Sequence, residues 1–220
     1  MKWIVRSNYD LNNNSKSIWD IYMRTRRQWF KKNYRIKIVA ICAVTLLLQN
    51  FINENLFEME SYKKIILKTI NEFEGGSLLH TVANDAGGTT RYGISQRAYP
   101  KIDLTKITQD EAIEIYKQDY YDKLKLEQVL NDSLRWKIFD IAVNMGVSRA
   151  CKIVQEAIGV PVDGLIGSVT LTAINYSDSE LLLKKIEKLQ VYHYATICRA
   201  NEVQYKFLKG WNRRAFSKWS

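Results

Sequence analysis

Residues 71–96 read NEFEGGSLLHTVANDAGGTTRYGISQ, and the rest of the chain is organised around this stretch. It begins in the last turn of an apolar-faced helical pattern, breaks at Gly75-Gly76 and continues as a polar segment with further glycines. Glycine lets a backbone turn sharply and adopt positive φ angles, so the polar side chains of such a segment can be directed into a cleft. The stretch therefore has the pattern of an active-site frame.

Two carboxylates in this frame, Glu74 and Asp85, are candidate acid–base groups. Glu74 stands at a helix end behind Phe73, where partial burial favours the neutral acid that can protonate a glycosidic oxygen. The alternative is a solvated glutamate at a helix terminus. Glu72, in the same neighbourhood but with no glycine directly after it, is the natural comparison. Asp85 precedes two glycines and is either a functional carboxylate, holding a water or stabilising positive charge, or a turn-forming residue.

Apolar residues at helical spacing surround the frame on both sides. Those leading into it are Tyr62, Ile65, Ile66, Ile70 and Phe73. Two capping-box patterns begin later helices: Thr108 with Glu111, and Ser177 with Glu180. Within the globular part of the chain, only residues 78–82 and 92–94 have the character of strands. The sequence therefore predicts a mainly α fold with a small β-hairpin.

The N-terminal quarter has a different composition. Residues 1–37 are polar and basic, and residues 38–48, IVAICAVTLLL, form an uninterrupted apolar run. This run spans about 16 Å, and residues 36–52 span about 26 Å, against about 30 Å for the hydrocarbon core of a bilayer. Cations precede the run and glutamates follow it, which favours a cytoplasmic N-terminus. We predict an uncleaved signal anchor at residues 38–52, with a buried core helix as the alternative.

The chain is basic, with 33 Lys and Arg against 23 Asp and Glu and a formal net charge of +10. Such a balance favours anionic partners: nucleic acid, anionic lipid or an anionic cell-wall polymer. About half of the excess lies in the first sixty residues, and zinc-finger spacing and RNP-like motifs are absent, so we expect no nucleic-acid partner. Three widely spaced cysteines and two histidines give no disulfide framework and no metal-ligand cluster. We expect no metal and no cofactor.

Five motifs in a fixed order carry a resemblance to a known family. They are Glu74-Gly75-Gly76, residues 84–90 (NDAGGTT), residues 92–96 (YGISQ), residues 139–146 (FDIAVNMG) and residues 162–167 (VDGLIG), with further matches at residues 115–116 and 119–122 and at Gly210-Trp211. In this order they resemble the signature of glycoside hydrolase family 108, the lysozyme-like N-acetylmuramidases of phage endolysins and bacterial secretion-associated muramidases. The resemblance extends from residue 62 to the C-terminus and includes a small peptidoglycan-binding region at the C-terminal end.

The resemblance implies a lysozyme-like α+β fold and cleavage of the β-1,4 bond between N-acetylmuramic acid and N-acetylglucosamine. It implies Glu74 as the general acid, Asp85 as the second carboxylate and Thr90 as a water-orienting hydroxyl. Residues 80–83 depart from the pattern, because family members usually carry an Asp-Pro there. The carboxyl separation that distinguishes retention from inversion is not fixed by a sequence.

Further residues are candidates for contacting the saccharide or the cell wall. The groove candidates are Ser95, Tyr120, Tyr121 and Asn144, with core packing as the alternative for the tyrosines and a helix-terminal amide for Asn144. The tail candidates are Trp211, Arg213, Arg214 and Trp219, which either stack on sugars and bind anionic wall or pack against the protein.

We therefore predict four segments. Residues 1–37 are a basic cytoplasmic segment, residues 38–52 the signal anchor, residues 61–150 the lysozyme-like catalytic domain, and residues 151–220 a helical peptidoglycan-binding region. The predicted protein is a monomeric peptidoglycan hydrolase at the bacterial cytoplasmic membrane, with its catalytic domain in the periplasm or outside the cell. The alternative is a non-catalytic peptidoglycan-binding or assembly protein on the same fold.

Overall fold

The computed structural model describes residues 11–81 and 89–219, which form mostly helices with three short strands. The elements are α1 (Leu11–Phe73), β1 (His80–Thr81), β2 (Thr89–Arg91), β3 (Ile94–Ser95), α2 (Gln109–Tyr116), α3 (Asp132–Met145), α4 (Val147–Ile158), α5 (Ser168–Tyr176), α6 (Ser179–Ala200) and α7 (Tyr205–Ala215). A π-helical turn, Lys117–Tyr121, continues α2, and 3-10 turns lie at Leu126–Gln128 and Glu202–Gln204. The predicted class, mainly α with a small β-hairpin, is confirmed.

The chain divides into two compact units between Leu56 and Phe57. In the first unit, α1 exposes its apolar run, including Leu46 and Leu47. Within the part of the chain that the structure describes, Asp20–Phe73 is the one helix long and apolar enough to cross a membrane. A signal sequence near an N-terminus has the same properties. The boundaries predicted at residues 37 and 52 both fall inside this continuous helix.

The core of the second unit is built around α3. Its side chains Leu134, Ile138, Phe139, Ile141 and Ala142 are fully buried, and α3 packs against α4 and α6. The end of α1 joins this core through Ile65, Ile66 and Ile70, each fully buried, as the helical spacing predicts. Burying one such side chain stabilises a fold by roughly 1.5–3 kcal/mol. The boundary predicted between residues 150 and 151 falls inside α4.

The helix N-termini show which local signals were reliable. At α2, the Thr108 side chain accepts from the Glu111 N–H and the Glu111 carboxylate accepts from the Thr108 N–H, so the predicted capping box is confirmed. At α6, the predicted cap at Ser177 is wrong by one residue. Asp178 is the N-cap and accepts from the Leu181 N–H at 2.8 Å, while the Ser177 hydroxyl donates to the Ile174 carbonyl at the end of α5.

The three strands form an antiparallel sheet in the order β1-β2-β3. Tyr92 and Gly93 connect β2 to β3 with φ angles of 53° and 76°, the signs of a two-residue type I′ turn. The strand predicted at residues 92–94 is therefore wrong in position, because two of these residues form the turn. The segment that joins β1 to β2 contains Asp85, which lies outside the described residues.

Candidate active site

Glu74 is the first residue after α1, and two glycines fix its position. Gly75 and Gly76 have φ angles of 77° and 59°, which end the helix in a left-handed conformation that a residue with a Cβ rarely adopts. The N–H groups of Glu74 and Gly76 both donate to the Ile70 carbonyl at 3.1 Å. The Glu74 side chain is 20% exposed, so the carboxyl lies at the rim of the core and not in open solvent.

The β2–β3 turn packs directly against Glu74. A Cβ placed on Gly93 would lie 2.6 Å from the Glu74 Cβ and 2.9 Å from its Oε2, closer than non-bonded atoms approach. It would also lie 2.4 Å from the Tyr116 hydroxyl. The Tyr92 N–H donates to the Gly76 carbonyl at 3.0 Å and ties the turn to the loop after α1. The glycine-rich frame thus serves a geometric purpose: it brings the hairpin into contact with the carboxyl.

Arg214 on α7 is the cationic partner of Glu74. Its Nη1 donates to Glu74 Oε1 at 2.8 Å, its Nε donates to Asp140 Oδ1 at 2.9 Å, and its Nη2 donates to the Asp140 carbonyl at 3.3 Å. The guanidinium also lies over the Phe73 ring, 4.7 Å from its centroid. The sequence left open whether Arg214 binds the cell wall or packs against the protein. These contacts show that it packs against the protein and that it contacts the candidate acid.

The charges behind Glu74 are buried. Asp140 is fully buried, and this burial raises the pKa of its carboxyl to about 6, against the opposing effect of Arg214. Lys137, one turn earlier on α3, donates to the Ala215 carbonyl at 2.7 Å, and burial lowers its pKa to about 8. Asp140 Oδ2 has no hydrogen-bond partner among the described residues. Glu74 is therefore the outermost member of a chain of buried charges.

Two tyrosines, Tyr116 and Tyr120, interact electrostatically with this carboxyl. The buried Tyr116 donates to the Tyr92 carbonyl at 3.0 Å and stacks on Tyr120 with ring centroids 5.7 Å apart. Burial raises the pKa of the Tyr120 hydroxyl, and the negative charges of Asp119 and Glu74 raise it further. Tyr120 is half-buried, so part of its surface is accessible.

The other residues predicted for the site each bind or pack against partners of their own. Thr90 is half-buried on β2 and pairs with Ser95 across the hairpin. The Ser95 hydroxyl accepts from the Ala98 N–H at 3.3 Å, and the Asn144 amide oxygen accepts from the Tyr194 hydroxyl at 2.8 Å. Tyr121 is 4% exposed, and its ring lies against Phe139 in the core.

The sequence indicated Glu74 because its glycines are adjacent to it, whereas Arg214 and Asp140 gave weaker signals. Arg214 is 140 residues from Glu74, and Asp140 lies within the apolar face of α3. A buried Asp inside an apolar stripe was the one available signal, since a charge in such a position needs a partner. Chemically, the arrangement presents a partly exposed carboxyl, held by a buried cation, that can exchange a proton with a ligand.

Comparisons with known proteins bear on the family and the fold. Residues 67–146 match the family described as Glycosyl hydrolase 108, and residues 149–216 match the Predicted Peptidoglycan domain. A comparison with curated proteins found no match. Among solved structures, SagA of Brucella abortus is similar in fold, with a TM-score of 0.59 at 24% identity over 71% of this chain and 90% of that chain. Residues 67–146 thus match glycoside hydrolase family 108 and are followed by a match to a peptidoglycan domain, which confirms the resemblance carried by the motifs.

Proposed function

We propose that the protein is an N-acetylmuramidase that cleaves the β-1,4 bond between N-acetylmuramic acid and N-acetylglucosamine in peptidoglycan. The observation that carries this proposal is the Glu74 carboxyl itself. It lies within the segment that matches the glycoside hydrolase family, it is 20% exposed, and a buried arginine holds one of its oxygens. A glycosidase needs a carboxyl of fixed orientation that reaches the leaving oxygen.

Glu74 acts as the general acid in this proposal. Arg214 binds Oε1, and Oε2 lies on the side of Gly93, so the two oxygens have different surroundings. With Oε1 bound by Arg214, Oε2 is the oxygen that protonates the glycosidic oxygen, and a saccharide that covers the site excludes water from this step. Asp85 is the proposed second carboxylate and Thr90 the proposed water-orienting hydroxyl, with Ser95, Tyr120 and, less directly, Asn144 and Tyr121 supporting the groove.

The proposed location follows from α1 and the charge distribution along it. Residues 38–52 act as a signal anchor in the cytoplasmic membrane, with the basic residues 1–37 inside and the hydrolase in the periplasm or outside the cell, as a monomer. Cations on the cytoplasmic side of an apolar helix favour this orientation. The biological role in this setting is lysis, wall remodelling or opening a path for secretion.

The test uses the full-length chain in detergent micelles and purified peptidoglycan sacculi. We expect turbidity to fall and reducing ends to appear, and borohydride reduction of the products to convert N-acetylmuramic acid, not N-acetylglucosamine, into its alditol. Glu74→Gln is expected to lower the rate about 100-fold or more, as loss of a general acid does. The matched control is Glu72→Gln. Glu72 is exposed on the last turn of α1, and among the described residues it pairs only with Lys68.

The outcomes separate the two candidate functions. Equal rates for Glu74→Gln and wild type would contradict the role of Glu74. Binding of folded wild type to sacculi with no release of reducing ends would instead support a non-catalytic peptidoglycan-binding or assembly protein on the same fold.

A further inference from the structure

We propose that Arg214 is a positioning residue for Glu74, so that α7 is a working part of the catalytic site and not only part of a wall-binding region. This inference rests on the proposed function. Arg214 lies within the segment that matches the peptidoglycan domain, whereas Glu74 lies within the segment that matches the hydrolase family. The residue that holds the candidate acid is therefore supplied by the other segment.

The geometry at Arg214 is that of a fixed bridge. Its side chain is 8% exposed, and separate nitrogens bind Glu74 and Asp140, with 2.8 Å and 2.9 Å between the bonded atoms. A planar guanidinium that binds two carboxylates through different nitrogens fixes their relative orientation. Asp140 does not reach solvent and binds both Nε and, through its carbonyl, Nη2. Asp140 thus orients Arg214, and Arg214 in turn orients Glu74.

A second contact holds the end of α7 at the site. Lys137 Nζ donates to the carbonyl oxygens of Ala215 and Arg214, at 2.7 Å and 3.4 Å. These carbonyls are at the C-terminal end of α7, where the helix dipole makes a cation favourable. Lys137 and Asp140 are one turn apart on α3, so one face of α3 binds both the backbone and the side chain of Arg214.

The neighbouring Arg213 provides a matched control. It is exposed, and its side chain is not among the contacts of the site, although it differs from Arg214 by one position in the same helix. If Arg214 contributed only positive charge to a wall-binding surface, substitution of either arginine would weaken binding to a similar extent. If Arg214 positions Glu74, its substitution lowers turnover and the substitution of Arg213 does not.

The experiment measures kcat and KM of the full-length chain on soluble glycan strands for wild type, Arg214→Met, Arg214→Lys and Arg213→Met. We expect Arg214→Met to lower kcat about 10-fold or more, with KM changed less than about 2-fold, since the lost contact is to the acid and not to substrate. Arg214→Lys keeps the charge without the fork and is expected to recover part of kcat. A rise in KM with unchanged kcat, or equal effects at Arg213, would overturn the inference.

Two further measurements keep a folding defect and a failed function apart from a failed inference. Arg214→Met leaves Asp140 buried without its partner, so the double variant Arg214→Met/Asp140→Asn is expected to recover thermal stability but not kcat. In a double-mutant cycle, the effect of Glu74→Gln/Arg214→Met on the unfolding equilibrium constant is expected to differ from the product of the two single effects by at least about 2-fold. If the wild type is inactive but the two substitutions are coupled, only the proposed function is contradicted. If the effects of the two substitutions are additive, the positioning role is contradicted.

Discussion

At the scale of single residues, Gly93 is a position where one added methyl group is predicted to disturb the site directly. Gly93→Ala places a Cβ within 3 Å of Glu74 and Tyr116 at a φ of 76°, so the hairpin or the carboxyl has to move. Because a misplaced catalytic group costs about 100-fold in rate for a shift of about 1 Å, we expect hydrolysis to fall by that order. The measurement is the release of reducing ends from sacculi.

Gly210→Ala is the control for this substitution. Nothing lies within 4 Å of a Cβ at Gly210, which is inside α7, so alanine is expected to keep activity and to stabilise the helix by up to about 1 kcal/mol. Full activity of Gly93→Ala would show that the close approach of the hairpin to Glu74 does not exist in solution.

A second residue-scale prediction concerns Asp140 and pH. Burial raises the pKa of this carboxyl to about 6, above its unfolded value of about 3.9, although Arg214 and Lys137 oppose the shift. Between these values the folded state binds more protons than the unfolded state, so the contribution of Asp140 to stability decreases as pH rises from about 4 to about 6. The measurement is the melting temperature across this range, for wild type and Asp140→Asn. The variant is expected to lack this component of the slope, and parallel curves would contradict the prediction.

At the scale of secondary-structure elements, the start of α6 offers a direct test of two competing caps. The Asp178 side chain accepts from the Leu181 N–H, while the Ser177 hydroxyl belongs to the end of α5. Asp178→Ala is therefore expected to lower the free energy of unfolding by about 1 kcal/mol, the usual cost of losing an N-cap. Ser177→Ala is the control and is expected to cost less. Denaturant unfolding measures both, and the reverse order would restore the cap that the sequence indicated.

The elements also show why some features were predictable and others were not. The capping box of Thr108 and Glu111 and the break after Glu74 are signals a few residues long, so the sequence contains them in full. The strand predicted at residues 92–94 was misplaced because Tyr92 forms the turn with a positive φ, which tyrosine rarely adopts. Arg214 and Asp140 meet only after α7 packs on α3, and a contact over 74 residues leaves no local pattern.

At the scale of the whole molecule, the second unit is one body, although two family models match it. The matched segments end at residue 146 and begin at residue 149, yet α3 and α4 on either side pack together, and Arg214 connects α7 to Glu74. The motifs predicted the family that each segment matches. They did not predict that the C-terminal segment supplies a partner to the Glu74 carboxyl, because that depends on tertiary packing.

The last prediction concerns the first unit and its apolar helix. Leu46 and Leu47 are 65% and 68% exposed within the run. In water this apolar surface stays hydrated, whereas a bilayer buries it. Leu46→Lys/Leu47→Lys places two charges near the middle of the proposed span, where each costs roughly 2.5–3.5 kcal/mol. We expect this variant to be released from membranes by alkaline carbonate and to keep its activity on purified sacculi. Gln49→Lys/Asn50→Lys adds equal charge at the edge of the run and is expected to remain in the membrane. Retention of both variants would contradict the anchor, because the apolar run would then not be what holds the chain there.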